Sequence, residues 1–283
     1  MPTPLAATRT GAGPHPVVLV HGFTQTGRCW GPLGDSLALR GEVLALDAPG
    51  HGGSGELRLD LADAAAAIAA TVERADSRMR RPLLIGYSMG ARMALHAVLH
   101  APAAFSGLVL ISATPGIDDD AERSERRRRD DALADHIEAV GCAQFIDEWL
   151  ALPMFATLPA SAAHRDERVR NSAAGLAASL RLAGTGRQAP LWNDLASIDL
   201  PVLVLTGSLD TKFDAIGRRT ATAIGPNAVA RTIDGAGHTV HLEAPDATYV
   251  SVAREVTDQQ YLEMLEAIAG AAEQATGVPT AAH

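Results

Sequence analysis

A Gly-x-Ser-x-Gly turn, set between an apolar run and an alanine-rich helix, constrains this chain more than any other feature. Residues 83–85, Leu-Leu-Ile, are the short apolar run of a buried strand, and from Met89 onward Met89, Met93, Val98 and several alanines suit a helix packed on a sheet. Between them stands Gly86-Tyr87-Ser88-Met89-Gly90. A serine at a strained strand-to-helix turn has its hydroxyl lifted clear of the sheet. A side chain at either flanking glycine would collide with the neighbouring strand or with the helix. The helix that follows aims its first N–H groups at the same point, where they can hold an oxyanion.

Other strand and helix signals alternate around this turn. Continuous apolar runs at residues 17–20, 43–46, 108–111 and 201–205 read as buried parallel strands, with a last strand at 228–233. Helical patterns cover residues 30–40 and 61–75, and a closing helix is expected over 249–272 with frayed residues after it. The fold class predicted is α/β, a mostly parallel, doubly wound sheet. Residues 1–16 read as a polar tail. Between residues 114 and 190 the alternation stops, leaving charged and alanine-rich helical segments broken by Pro153 and Pro159. That interruption predicts a helical cap inserted between two strands, within one domain spanning residues 1–283.

Ser88, Asp210 and His238 each follow a predicted strand, so all three are expected at the carboxyl edge of the sheet. A serine hydroxyl is a weak nucleophile and a weak base at neutral pH. It needs an imidazole to take its proton, and the imidazole needs a carboxylate to fix its tautomer and stabilise its cation. Asp214 is the rival acid, further past the strand end. The expected oxyanion hole is the backbone N–H of Met89, next to the nucleophile, with that of Phe23 in the His21-Gly22-Phe23 turn. His21 and His51 read as supports of their glycine-rich turns.

Charge and cysteine usage narrow the function. A formal net charge of −9 argues against nucleic acid or an anionic membrane as the main partner. No apolar run approaches the roughly 20 residues of a membrane span. Cys29 and Cys142 make neither a disulfide framework nor a metal-ligand spacing, and no other cluster has ligand spacing, so no metal and no cofactor is expected. Residues 1–16 lack the apolar core of a signal peptide, which points to a cytoplasmic protein. The sequence does not set the oligomeric state.

The Ser88 turn, the His21-Gly22-Phe23 turn and the Asp210/His238 pair resemble the α/β-hydrolase superfamily. Residues 175–188 and 191–195 are more specific. They resemble the 2-succinyl-6-hydroxy-2,4-cyclohexadiene-1-carboxylate (SHCHC) synthases of menaquinone biosynthesis, as do 122–134, 145–155, 207–213 and 237–243. Ala91 departs from the family, which usually has a second glycine there, and the Arg126–Arg129 run is unusually dense. The resemblance implies a lyase that removes a ring proton beside a ketone, holds the resulting anion in the oxyanion hole and expels pyruvate. It implies a small polycarboxylate substrate, bound by Arg92, by Arg123 or Arg126, and by Arg181, with Tyr87 and Trp149 lining the pocket. Arginine's planar fork suits a carboxylate. Arg127 to Arg129 read as a solvated helix face paired with its own acids, and Lys212 as a surface residue beside the acid. A carbon–carbon bond hydrolase or carboxylesterase of the same fold is the alternative; its pocket would not need several arginines.

Overall fold

The structure, a computed structural model, describes residues 2–75 and 79–256. A seven-stranded sheet has the order β1-β3-β2-β4-β5-β6-β7. Its strands are β1 (Ala7–Pro14), β2 (Val17–Val20), β3 (Gly41–Leu46), β4 (Leu83–Tyr87), β5 (Gly107–Ile111), β6 (Val202–Gly207) and β7 (Ala228–Ile233). From β3 to β7 every neighbouring pair is parallel. The expected tail is a strand instead. β1 pairs antiparallel with β3, Ala7 opposite Leu46 and Thr10 opposite Val43. Its Ala-Thr-Arg-Thr-Gly sequence lies almost wholly exposed, as an edge strand can, so no apolar run announces it.

The five inner strands are buried on both faces, which is why they read as unbroken apolar runs. Alternate residues serve opposite cores. On one face Val18, Val20, Leu84, Leu108 and Val204 pack against helices α2 (Leu61–Arg74) and α3 (Met89–His100). On the other, Val17, Leu19, Ile85, Val109 and Leu203 meet Leu33 and Leu37 of α1 (Gly31–Ala38).

Between β5 and β6 the chain leaves the sheet through α4 (Asp120–Val140), α5 (Cys142–Leu150), α6 (Arg165–Arg168) and α7 (Ala173–Ala183). This insertion has a small core of its own, including Ile137, Phe145, Ile146, Leu176 and Leu180. After β6 come α8 (Thr211–Ile224), α9 (Val240–Glu243) and α10 (Pro245–Val256). The closing helix thus starts at Pro245, and residues 257–272 of the expected helix lie outside the described residues. Among the described residues, no helix is long and apolar enough to cross a membrane.

Candidate active site

Ser88 links β4 to α3 with φ +51° and ψ −107°, a left-handed backbone that a non-glycine residue adopts only under constraint. Its N–H is tied to the Ile111 carbonyl at 2.8 Å, and its carbonyl accepts the Arg92 N–H at 3.2 Å. The flanking glycines are required by contact. A Cβ on Gly86 would come within 2.5 Å of the Ala91 Cα, and one on Gly90 within 2.0 Å of the Val20 carbonyl oxygen.

His238 Nε2 lies 3.1 Å from Ser88 Oγ, and its Nδ1 lies 2.6 Å from Asp210 Oδ2. The three side chains that the strand ends suggested are therefore hydrogen-bonded in series. His238 is 3% exposed and its ring packs on Phe213 at 4.6 Å. Asp210 caps α8, accepting the Phe213 N–H at 3.4 Å. The rival Asp214 is occupied elsewhere, with Thr206, Thr232 and Arg218. Its carboxyl is held below the usual range by Thr232, with help from Arg218 and Thr206.

Two residues that sequence reasoning did not assign to the site fix the His238 backbone. Ser112 Oγ donates to the His238 carbonyl at 2.8 Å, and the Glu243 carboxylate accepts the N–H groups of Gly237 and Thr239 at 2.7 and 2.9 Å. The Ser112 bond spans 126 residues and no local pattern marks it, whereas Glu243 stands only six and four residues from its two donors.

Phe23 and Met89 line the same cleft as Ser88. The Phe23 turn is supported by two buried histidines. His21 Nδ1 donates to the Gly22 carbonyl at 2.8 Å and its Nε2 accepts the Ala48 N–H at 3.0 Å. His51 Nδ1 donates to the Pro49 carbonyl at 3.0 Å and its Nε2 accepts the Thr24 N–H at 3.2 Å. Burial pushes His21 down to about 4 and His51 to about 3, so both stay neutral near pH 7.

The cleft holds about 1060 Å³ between the sheet edge and the insertion. Of the residues expected to bind anions, Arg92 and Arg126 line it, and so does Trp149. Arg92 is 6% exposed and donates Nη1 to the Ala183 carbonyl at 2.8 Å. Burial, reinforced by nearby Arg126, lowers its pKa to about 10, so it remains a cation at neutral pH. Arg126 Nε donates to Asp130 Oδ1 at 2.8 Å.

Arg181 and Tyr87 lie elsewhere, and so does Arg123, the alternative to Arg126. Arg181 faces outward on α7 and is clamped by Glu138 at 2.8 and 2.9 Å and by Asp135 at 2.5 Å. Those carboxylates, Glu138 first, raise its pKa. The helical period explains the error: Ser179, Leu180 and Ala183 face the cleft, and the residue between them on the outer side cannot. Arg123 turns back on its own loop, donating to the Ile117 carbonyl at 2.8 Å and pairing with Asp120. Tyr87 shares the strand face of Leu83 and Ile85, behind the triad, with its hydroxyl 3.4 Å from Thr239 Oγ1 and its ring 5.6 Å from that of His238. Lys212, read as a surface residue, is exposed but lines the cleft, as do Arg129 and Arg219. Arg129 is paired with Glu125, and Arg219 with Asp118 while stacked on Trp192. Among the described residues, no group of three or more His, Cys, Asp or Glu could hold a metal ion.

Known proteins match this architecture. The profile described as "Alpha/beta hydrolase family" covers residues 17–251. A Klebsiella pneumoniae (strain 342) protein named 2-succinyl-6-hydroxy-2,4-cyclohexadiene-1-carboxylate synthase is 33% identical over 255 residues, covering 88% of this chain and 97% of that one. A Serratia proteamaculans (strain 568) protein of the same name is 33% identical over 210 residues, covering 72% and 78%. The structure titled "Structure of MenH from S. aureus" superimposes with TM-score 0.81 at 29% identity, covering 92% of this chain and 98% of that one. An esterase from Thermogutta terrifontis superimposes with TM-score 0.74 at 22% identity over 92% of this chain and 93% of that one, a likeness of fold alone.

Proposed function

The chain belongs to the α/β-hydrolase family, with the SHCHC synthases as its kin there, and from that premise we propose how its cleft works. It is an enzyme of that synthase type: it eliminates pyruvate from 2-succinyl-5-enolpyruvyl-6-hydroxy-3-cyclohexene-1-carboxylate to give SHCHC, a step of menaquinone biosynthesis. Residues of about 114–190 act as a cap on a single domain, closing the cleft over the substrate. The protein works in the cytoplasm on a small polycarboxylate, without metal or cofactor.

Ser88, activated by His238, takes the proton from the ring carbon beside the succinyl ketone, and Asp210 stabilises the imidazolium that results. The electron pair moves onto the ketone oxygen, which the N–H groups of Phe23 and Met89 receive. As the pair returns, a new ring double bond forms from the deprotonated carbon, the existing ring double bond shifts one position along the ring, and the bond to the enolpyruvyl oxygen breaks. The departing enolate takes a proton and is released as pyruvate. Arg92 and Arg126 hold substrate carboxylates while this happens.

Arg92 carries the reading. A guanidinium buried one helical turn from Ser88, facing the cleft and bonded to a backbone carbonyl rather than a carboxylate, suits an anionic substrate. Incubation with the enolpyruvyl substrate, coupled to detection of pyruvate, tests it. Pyruvate release with near silence on uncharged short-chain esters is expected. Brisk ester turnover without pyruvate release would replace the lyase by the esterase.

A further inference from the structure

Thr24, the residue after the Phe23 oxyanion donor, is fully buried with φ +70°. A β-branched residue holds that backbone only where its surroundings over-determine it. Three bonds to distant residues do so. The Thr24 N–H donates to His51 Nε2 at 3.2 Å, its carbonyl accepts Asn171 Nδ2 at 2.8 Å, and its hydroxyl accepts from Arg168. Two of these three come from the cap, at and just after α6.

Asn171 is itself fixed on all sides. It is 5% exposed; its Oδ1 accepts the Gly52 N–H at 2.8 Å, and its Nδ2 also donates to the Arg168 carbonyl at 3.0 Å. One side chain thereby ties the cap to the turn after β2 and to the glycine loop after β3. The cap also grips Phe23, whose ring stands edge-on to Trp149 at 5.3 Å and to Phe145 at 6.3 Å. Within the turn, the Gln25 N–H closes on the Gly22 carbonyl at 3.1 Å. With Thr24 pinned, the direction of the Phe23 N–H has little freedom left.

We propose that Asn171 is a positioning residue, reaching from the cap to aim the Phe23 N–H at the developing enolate. The inference rests on Phe23 N–H being an oxyanion donor. Negative charge on the ketone oxygen exists only after the ring proton has left, so mis-aiming this donor lowers kcat and leaves ground-state binding of the carboxylates intact.

Two variants separate the bonds. Asn171→Asp keeps an acceptor for the Gly52 N–H and loses the donor to the Thr24 carbonyl, while Asn171→Ala loses both. For pyruvate release, kcat is expected to fall about 10- to 100-fold in each, with KM within about twofold of the parent. Phenylboronic acid, which adds to Ser88 and places an oxygen in the hole, is expected to bind more weakly by a similar factor. Unchanged kcat and unchanged boronate affinity in both variants would overturn the proposal. So would a rise in KM at constant kcat, or unfolding of both variants by circular dichroism, since either makes Asn171 a substrate contact or a purely structural residue. The boronate measurement needs no natural substrate. If the parent enzyme releases no pyruvate, the lyase reading fails while the boronate arm still reports on Asn171.

Discussion

The Arg92 guanidinium donates to the Ala183 carbonyl at 2.8 Å, joining the helix that follows Ser88 to the last turn of α7 in the insertion. One side chain thereby does two things: it carries charge into the cleft and it ties the inserted helices to α3. Its burial is bearable because Asp130, itself buried, offsets part of the charge. Asp130 in turn accepts the Gly186 N–H at 3.1 Å, so α4 and the end of α7 close around the same spot.

Replacing Ser88 by alanine is expected to lower kcat by about 10³-fold or more, and His238→Ala by a similar factor, because the two act as a unit. The Ser88 hydroxyl faces the cleft, so the melting temperature should stay within a few degrees of the parent. Steady-state pyruvate release and thermal melts on both variants check this. Near-normal turnover by Ser88→Ala removes the triad from the mechanism.

Stability should fall on the acid side of neutrality. Unfolded, His21 and His51 take up protons near 6.5, whereas folded they do so only near about 4 and about 3. Between those values the unfolded chain binds more protons, so each histidine withdraws about 1.4 kcal/mol of stability per pH unit as pH drops from 6.5 toward 4. His241, His96 and His164 are shifted the same way by burial and add to the slope. Urea midpoints measured from about pH 7 to about pH 5 are expected to decline steadily. His51→Gln should flatten part of that decline while lowering the plateau; an unaltered slope would mean that His51 is not the neutral buried group its burial demands.

How much of this was legible in the sequence follows the range of the interactions involved. Ser88, Asp210 and His238 each follow a strand that its local sequence marks, so their common edge could be read directly. Asn171 meets Thr24 across 147 residues, and no short pattern marks that bond. The strand at residues 7–14 escaped because an exposed edge needs no apolar alternation. Arg181 was misplaced for a different reason: a resemblance fixes which residues are present, while helix phase decides which side they face. Tyr87 failed likewise through strand alternation.

Glu243 is expected to matter although it touches no reacting atom. Its carboxylate accepts the N–H groups on both sides of His238, at 2.7 and 2.9 Å. Glu243→Ala strands both donors in a part-buried loop, for a loss of about 1–3 kcal/mol in stability. With the loop loosened, His238 drifts from the 3.1 Å approach to Ser88, and kcat should fall about tenfold. Glu243→Gln, which keeps one acceptor oxygen, should sit between parent and alanine in both chemical denaturation and turnover. A Glu243→Ala enzyme with parental stability and kcat would show that the loop holds itself.

Arg92 and Arg181 give the sharpest contrast, because a resemblance assigned them the same job and the structure separates them. Arg181 is engaged by Glu138 and Asp135 on the outside of the cap, so Arg181→Ala should leave kcat/KM for pyruvate release within about twofold. Arg92→Ala strips a charge-assisted contact made by a buried guanidinium. That is on the order of 2–4 kcal/mol, or roughly 30- to 1,000-fold in kcat/KM. Lysine at 92 should recover only part of it, since a point charge cannot bond the Ala183 carbonyl and a carboxylate with the same fork. Because Arg92 also anchors the cap, the same variants need an uncharged short-chain ester as a second substrate, at whatever rate it is turned over. A loss confined to the anionic substrate assigns Arg92 to carboxylate recognition, whereas an equal loss on both substrates assigns it to the cap alone. A large loss with Arg181→Ala would place that side chain in the substrate's path after all and require the outer face of α7 to turn inward during catalysis.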